Sequence, residues 1–278
     1  GVNVRLLVNS KVDMHSYQPT VDDIVAIKSS DLFVYVGGES DEWVQNALEK
    51  DNRALNLIEA LGDSVKEEEE KEGMEEDEDH DHDDEDEDHD HEEHHEHHHE
   101  EGEIELDEHV WLSLVNAQKI VKSIKDELVA IDPDNAETYN ANYTTYNEKL
   151  VNLHNTYITK LAGGTHNTVV FADRFPFRYM IDDYGFDYYA AFKGCSAESE
   201  ASFETIIFLA GKIDELGNSY ILKTTTSNDD IAKSVKNNTI NKNQEIVAMS
   251  SLEIRENDSD TYLGVMESNL EMLYKVTR

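Results

Sequence analysis

The sequence predicts an α/β protein: two βα lobes with parallel sheets, joined by a long rigid helix. Three observations predict it. Short apolar runs alternate with amphipathic stretches in the first third of the chain and again in its second half, the pattern of βαβ units. Between them, residues 134–161 keep one apolar face over about 28 residues, roughly 40 Å at 1.5 Å per residue. The first lobe is interrupted by a run of carboxylates and imidazoles with almost no apolar residue.

The elements follow in order. Residues 4–8 (VRLLV), 31–37 (DLFVYVG) and 54–58 (ALNLI) read as strands of the first lobe, and residues 21–28 and 42–48 as the helices between them. Parallel strands joined by helices imply right-handed crossovers. Past the acidic run, residues 109–131 read as a helix, with Leu112, Val115, Ile120, Ile124 and Leu128 at roughly helical intervals. Pro133 stops it. The long helix follows, with Asp134 as N-cap and Tyr139, Tyr143, Tyr146, Leu150, Leu153, Tyr157 and Leu161 as its apolar face. Gly163 and Gly164 close it. Strands at 168–171, 187–191, 220–224 and 245–249 alternate with helices at 177–184, 202–216 and 229–238, and a helix over 262–277 ends the chain. The expected boundaries are residues 1–132 for the first lobe, 133–162 for the linking helix and 163–278 for the second lobe, with a disordered loop over 65–103. Ligands of such folds sit at the carboxyl ends of the strands.

Charge narrows the function. The 278 residues carry 62 Asp and Glu against 23 Lys and Arg, a net charge of −39. That balance excludes a phosphate-binding surface for nucleic acid and basic adhesion to an anionic membrane. The single cysteine, Cys195, excludes an internal disulfide framework and a cysteine-based zinc finger, and reads as a small apolar residue. No apolar run reaches the length of a membrane-spanning helix. The chain starts at Gly1 without a signal peptide, as expected of a processed or trimmed form.

Residues 67–101 hold 23 acids, nine histidines and one lysine. Such a stretch cannot bury enough surface to offset the entropy of ordering, so a disordered insertion is expected. Its histidines, His80, His82, His89, His91, His94, His95, His97, His98 and His99, are candidate metal ligands. Neutral imidazoles suit zinc, copper and nickel, and the carboxylates add charge attraction. With no fixed geometry the loop would hold several ions weakly. Two H-E-x-x-H matches, at 91–95 and 95–99, fall inside this low-complexity run, which supplies no buried helix to fix them.

Four histidines lie outside the run. His15 (VDMHSYQPT) follows the first expected strand, and His109 (DEHVWL) opens a helix just past the acidic run. Both are junction positions of the kind that line clefts. His154, mid-helix, reads as packing or surface, and His166 precedes a strand at its amino end, away from the cleft. Phosphate loops, dinucleotide fingerprints and nucleophile elbows are missing from the sequence.

The segment VDMHSYQPTVDDIVAIKSSDLFVYVGGESDEWV, the DEHVWL motif and the acidic histidine-rich insertion before it resemble the zinc-uptake solute-binding proteins of ABC importers, the ZnuA/AdcA type. The resemblance covers essentially the whole chain. It implies one transition-metal site in the inter-lobe cleft and delivery to a membrane permease. It makes His15 and His109 metal ligands and the insertion a metal-collecting loop. The family's third ligand, in a segment like H-x-A-F-x-Y, would fall at Arg174 of ADRFPFRYMIDDYG. Arginine has no lone pair to offer, so the neighbouring Asp173 is the expected substitute. The family's acidic fourth ligand would fall near Ser250, where no acid stands.

The resulting expectation is an extracytoplasmic protein, a cell-surface lipoprotein or periplasmic, that is not an enzyme. It would act as a monomer, bind Zn2+ as cargo through His15, His109 and Asp173, and pass it to an ABC importer permease. A zinc buffer acting through the loop, a surface adhesin and a metal-dependent hydrolase are the alternatives; the hydrolase lacks a dedicated general base.

Overall fold

The computed structural model describes residues 2–7, 14–49, 52–75, 105–196, 200–257 and 259–278. The nine histidines from His80 to His99 lie outside them, as do both H-E-x-x-H matches.

The first lobe is small. A 3-10 turn at Met14–Ser16 leads into α1 (Val21–Lys28), which opens with a capping box: Asp23 N–H donates to Thr20 Oγ1 and the Asp23 carboxylate accepts from Thr20 N–H. β1 (Phe33–Tyr35) pairs in parallel with β2 (Ala54–Asn56). A 3-10 turn at Glu39–Asp41 and α2 (Trp43–Ala47) lie between them. The strand expected over 54–58 is cut short. The Asn56 side chain accepts from Glu59 N–H and turns the chain into α3 (Leu57–Leu61), whose Leu57, Ile58 and Leu61 are buried. The strand expected over 4–8 is also corrected. Residues 4–7 pair with no strand, Val4 is 82% exposed and Leu6 60%, and Val8 lies outside the described residues. An apolar run without a partner ladder leaves its backbone to water; Arg5 ties this one down through Asp23 Oδ1 at 2.9 Å.

Residues 65–75, expected to belong to the disordered loop, take up defined positions. Glu67 and Leu106 form an antiparallel bridge, Glu68 N–H donates to Glu105 O, and Asp107 N–H to Lys66 O. Met74, the apolar residue in an otherwise charged run, is buried in the main core, and Glu75 N–H donates to Ala191 O. One methionine thus anchors what composition alone assigns to disorder.

A 3-10 turn at Val110–Leu112 precedes α4 (Leu114–Ile131), capped by Ser113. Pro133–Asn135 forms a further 3-10 turn, so Asp134 is not the N-cap; α5 (Ala136–Leu161) begins after Asn135. At 26 residues it spans about 39 Å. Only its second half is buried, through Leu150, Leu153, Tyr157 and Leu161; Tyr139, Tyr143 and Tyr146 are half-buried.

The second lobe is a four-stranded parallel sheet in the order β4-β3-β5-β6: β3 (Thr168–Arg174), β4 (Asp187–Phe192), β5 (Tyr220–Thr224) and β6 (Glu245–Met249). Alternation along β3 sorts its two faces. Val169 and Phe171 join Leu150, Leu153 and Tyr157 of α5 and Met266, Leu270 and Leu273 of α9 (Tyr262–Val276). Val170 and Ala172 face α7 (Phe203–Leu216) and α8 (Asp230–Asn238) through Leu209, Ala210, Ile213, Ala232 and Val235.

The lobes interlock. Tyr179 of α6 (Arg178–Asp183) is buried among Leu57, Ile58, Leu61, Val110 and Ile120 of the first lobe. Its hydroxyl accepts from Lys66 N–H at 2.9 Å and donates to Asp107 O at 2.8 Å. Trp111 Nε1–H donates to Ser251 O, Tyr262 OH to Trp111 O and Ser113 Oγ–H to Asp183. No described helix is long and apolar enough to cross a membrane.

Candidate metal centre

Short turns deliver every polar group at the cleft. His15 sits in the first 3-10 turn, Ser40 in the turn after β1, and Glu108 and His109 just before the turn at Val110–Leu112. Arg174 ends β3, Cys195 follows β4 and Glu253 follows β6. The second-lobe contributors all stand at carboxyl ends of parallel strands, where this fold class leaves a crevice.

His15 and His109, picked from sequence, are brought together. Their Nε2 atoms are 3.2 Å apart. Glu253 Oε1 lies 3.0 Å from His15 Nε2 and 3.1 Å from His109 Nε2. The three atoms form a nearly equilateral triangle. A tetrahedral ion with ligands at about 2.0–2.1 Å has ligand-to-ligand edges of about 3.3 Å. The triangle therefore matches one face of such a shell with only a slight expansion.

Each donor is oriented from behind. The His109 backbone N–H and Nδ1 both reach Asp107 Oδ1, at 2.9 and 3.0 Å. That carboxylate favours the tautomer with the proton on Nδ1 and leaves the Nε2 lone pair for an ion. His15 Nδ1 is 2.7 Å from Ser40 Oγ, which serves the same purpose. Ser251 Oγ–H donates to Glu253 Oε2, and Arg174 Nη2 stands 3.5 Å from the same oxygen. Glu253 is aimed by the turn before it, in which Leu252 adopts a φ of +62°. A leucine in that conformation costs about 1–3 kcal/mol, and the surrounding structure must supply it.

The centre is rich in buried anions. Asp107, Glu108, Glu253 and His109 are each at most 2–4% exposed. Glu108 Oε1 accepts from Ser40 N–H at 2.8 Å, whereas Oε2 has no hydrogen-bond partner and lies 3.6 Å from His15 Nδ1. A buried carboxylate oxygen without a partner is costly. Burial works to lower the pKa of His109, but its bonds to Asp107, Cys195 and Glu253 outweigh that and hold it well above the usual imidazole value. Burial works to raise Glu253, but the two histidines and Arg174 hold its carboxyl far below the usual range. Burial raises Asp41 and Glu68 nearby and pushes the Cys195 thiol up to about 12.

Asp173 is not brought to the histidines. Its Oδ2 accepts from Thr224 N–H and Thr224 Oγ1–H, both at 2.8 Å, and its Oδ1 from Arg174 N–H at 2.9 Å. It clamps β3 to β5, a common role for a buried acid at a strand end. Glu253 stands in the cleft instead. The family resemblance puts an acid near Ser250, and Glu253 stands three residues on, in SSLE, past the end of the last strand. The oriented pair Asp107 and Glu108 was present in DEHVWL and was not read as part of the site. His154 contacts the Tyr184 hydroxyl at 3.0 Å, away from the cleft.

Fold and site together define a two-lobed, helix-braced protein whose cleft is lined with imidazoles and carboxylates. The family described as zinc-uptake complex component A, periplasmic (ZnuA), matches residues 1–276, and the chain belongs to it. The zinc-binding lipoprotein AdcA of Streptococcus pneumoniae R6 is 30% identical over 282 residues, covering 99% of this chain and 51% of that protein. The chain thus spans about half the length of this relative. The high-affinity zinc uptake system protein ZnuA of Bacillus subtilis 168 is 31% identical over 279 residues, covering 98% of this chain and 79% of that protein. The Zn(II)-bound ZnuA-like domain of Streptococcus pneumoniae AdcA superposes with a TM-score of 0.72 at 25% identity, covering 99% of this chain and 90% of that one.

Proposed function

We propose that this chain captures zinc outside the cytoplasm and delivers it to the permease of an ABC importer, holding the ion with His15, His109 and Glu253. It does so as a monomeric cell-surface or periplasmic binding protein, with zinc as cargo and no catalytic role. The observation that carries the reading is the 3.0–3.2 Å triangle of two imidazole nitrogens and one carboxylate oxygen. The surplus of buried carboxylates around the triangle favours a cation at that place. Two imidazoles favour zinc over manganese. Membership of a zinc-uptake family supports the same assignment, and the relatives' printed names are those of zinc-binding proteins.

The histidine-rich segment would raise the local zinc concentration beside this cleft. Glu67 and Leu106, on either side of it in sequence, bridge directly before Asp107. With three donors in the cleft, a buffer acting through the segment alone loses the main argument in its favour.

Calorimetric zinc titration tests the reading on a variant with residues 76–104 replaced by a short Gly-Ser linker. One tight site is expected, lost in Glu253→Ala and in His15→Ala and retained in Asp173→Ala. Weak sites that vanish together with residues 76–104, and no tight one, would sink the receptor reading.

A further inference from the structure

Three donors leave one vertex of a tetrahedral shell unassigned. Arg174 reaches the site, but a guanidinium offers no lone pair. Among the described residues, Cys195 is a further ligand-type group close to both histidines. One ring nitrogen of His15, one of His109 and the Cys195 sulfur all lie within 4.8 Å of one another. The thiol makes side-chain contact with His109 itself.

Gly194 explains how the sulfur gets there. A Cβ at this position would stand 3.1 Å from His109 Cε1 and Nδ1 and 3.0 Å from Phe175 O. Glycine lets the turn after β4 press closely against the His109 ring, where a Cβ would be crowded, and that turn carries Cys195 toward the histidines. On the Nδ1 side of His15, the buried Glu108 Oε2 lies 3.6 Å from the ring without a hydrogen-bond partner. The centre thus gathers two imidazoles, a thiol and buried carboxylates.

We propose that Cys195 is the fourth ligand of the metal site, so that the captured ion is held by His15, His109, Glu253 and a thiolate. This rests on the metal-capture reading above and goes beyond it by fixing the ligand set and the class of ion selected. A tetrahedral ion with sulfur at about 2.3 Å and nitrogen at about 2.0–2.1 Å has a nitrogen-to-sulfur edge of about 3.5 Å. The sulfur closes to that edge from within 4.8 Å of a ring nitrogen of each histidine, a movement of the kind a side-chain torsion supplies. On binding, the S–H bond breaks, the proton passes to solvent, and the sulfur lone pair forms the bond to the ion; no oxidation state changes. A thiolate selects zinc and other thiophilic ions, and selects against manganese and magnesium.

The test is cobalt(II) substitution of the full chain under reducing conditions, followed by absorption spectroscopy. Cys195 is the sole cysteine of the 278 residues, so any thiolate-to-cobalt charge-transfer band in the near ultraviolet must come from it, whatever the histidine-rich segment binds. The expected result is that band at one equivalent, together with the visible bands of tetrahedral cobalt. In Cys195→Ser the charge-transfer band is lost while the visible bands survive at higher cobalt concentration. Tetrahedral visible bands without charge transfer in the unaltered chain would overturn the inference and leave the site of two histidines and Glu253 standing. Absence of tetrahedral cobalt altogether would overturn that site, and this inference with it. An independent readout is labelling of the thiol by iodoacetamide: one equivalent of zinc is expected to protect Cys195, and unchanged labelling counts against ligation.

Discussion

His109 divides its two nitrogens between two tasks. Nδ1 is held by Asp107 at 3.0 Å, and Nε2 faces His15 and Glu253. Carboxylates placed behind ligating imidazoles in this way typically contribute 10- to 100-fold in metal affinity. Asp107→Asn should weaken zinc binding by about that factor in a competition titration while leaving the far-ultraviolet circular dichroism unchanged. Proton linkage gives a second expectation for the metal-free protein. The raised pKa of His109 contributes stability that is fully present below the unfolded value of 6.5 and is lost as pH rises through the folded value. The depressed pKa of Glu253 contributes stability that is present above 4.5 and is lost as pH falls toward the folded value. The contribution of this pair is therefore largest between pH 4.5 and 6.5. Urea midpoints followed upward from pH 6.5 should fall, and His109→Gln should flatten that slope. The approach of His15 and His109 to each other was legible, because each sits in a short motif at a junction of elements. Glu253 was not, because a turn with a left-handed leucine displaces the acid from the strand end, and nothing in SSLE announces that turn. Asp173 bonds the backbone of Thr224 and Arg174, a clamping role that an acid at a strand terminus fills as readily as that of a ligand.

At the scale of elements, apolar runs located β4 to β6 and the second-lobe helices to within a residue, whereas β3, expected over 168–171, runs on to Arg174. The first lobe was less legible. Its strands are only three residues long, and local capping decides where they end, as Asn56 does for β2. The burial of Met74 was hidden in the same way, since a single apolar residue among acids gives no period to read. Tyr179 shows what one side chain contributes across elements. Tyr179→Phe removes the partner of two buried backbone groups, Lys66 N–H and Asp107 O. Leaving them unsatisfied should cost about 1–3 kcal/mol, read as a lower urea midpoint at unchanged slope. The same substitution loosens the backbone of Asp107, so zinc affinity should fall as well, though less than in Asp107→Asn.

For the molecule as a whole, the two-lobed plan was legible in the order of runs and in the long amphipathic stretch; the interlocking of the lobes was not, because it depends on side chains far apart in sequence. The net charge of −39 acts at this scale. Self-repulsion destabilises the compact state and is screened by salt. The melting temperature of the metal-free chain should therefore rise from low to physiological ionic strength in scanning calorimetry.

The seat of Tyr179 in the opposite lobe has a thermodynamic corollary. A residue counted in the core of one lobe while its chain belongs to the other ties the two halves into one cooperative unit. Heat should then find a single endotherm with van 't Hoff and calorimetric enthalpies in agreement, where two independent lobes would give two. A bound ion would shift that endotherm as a whole and leave no half of the protein behind.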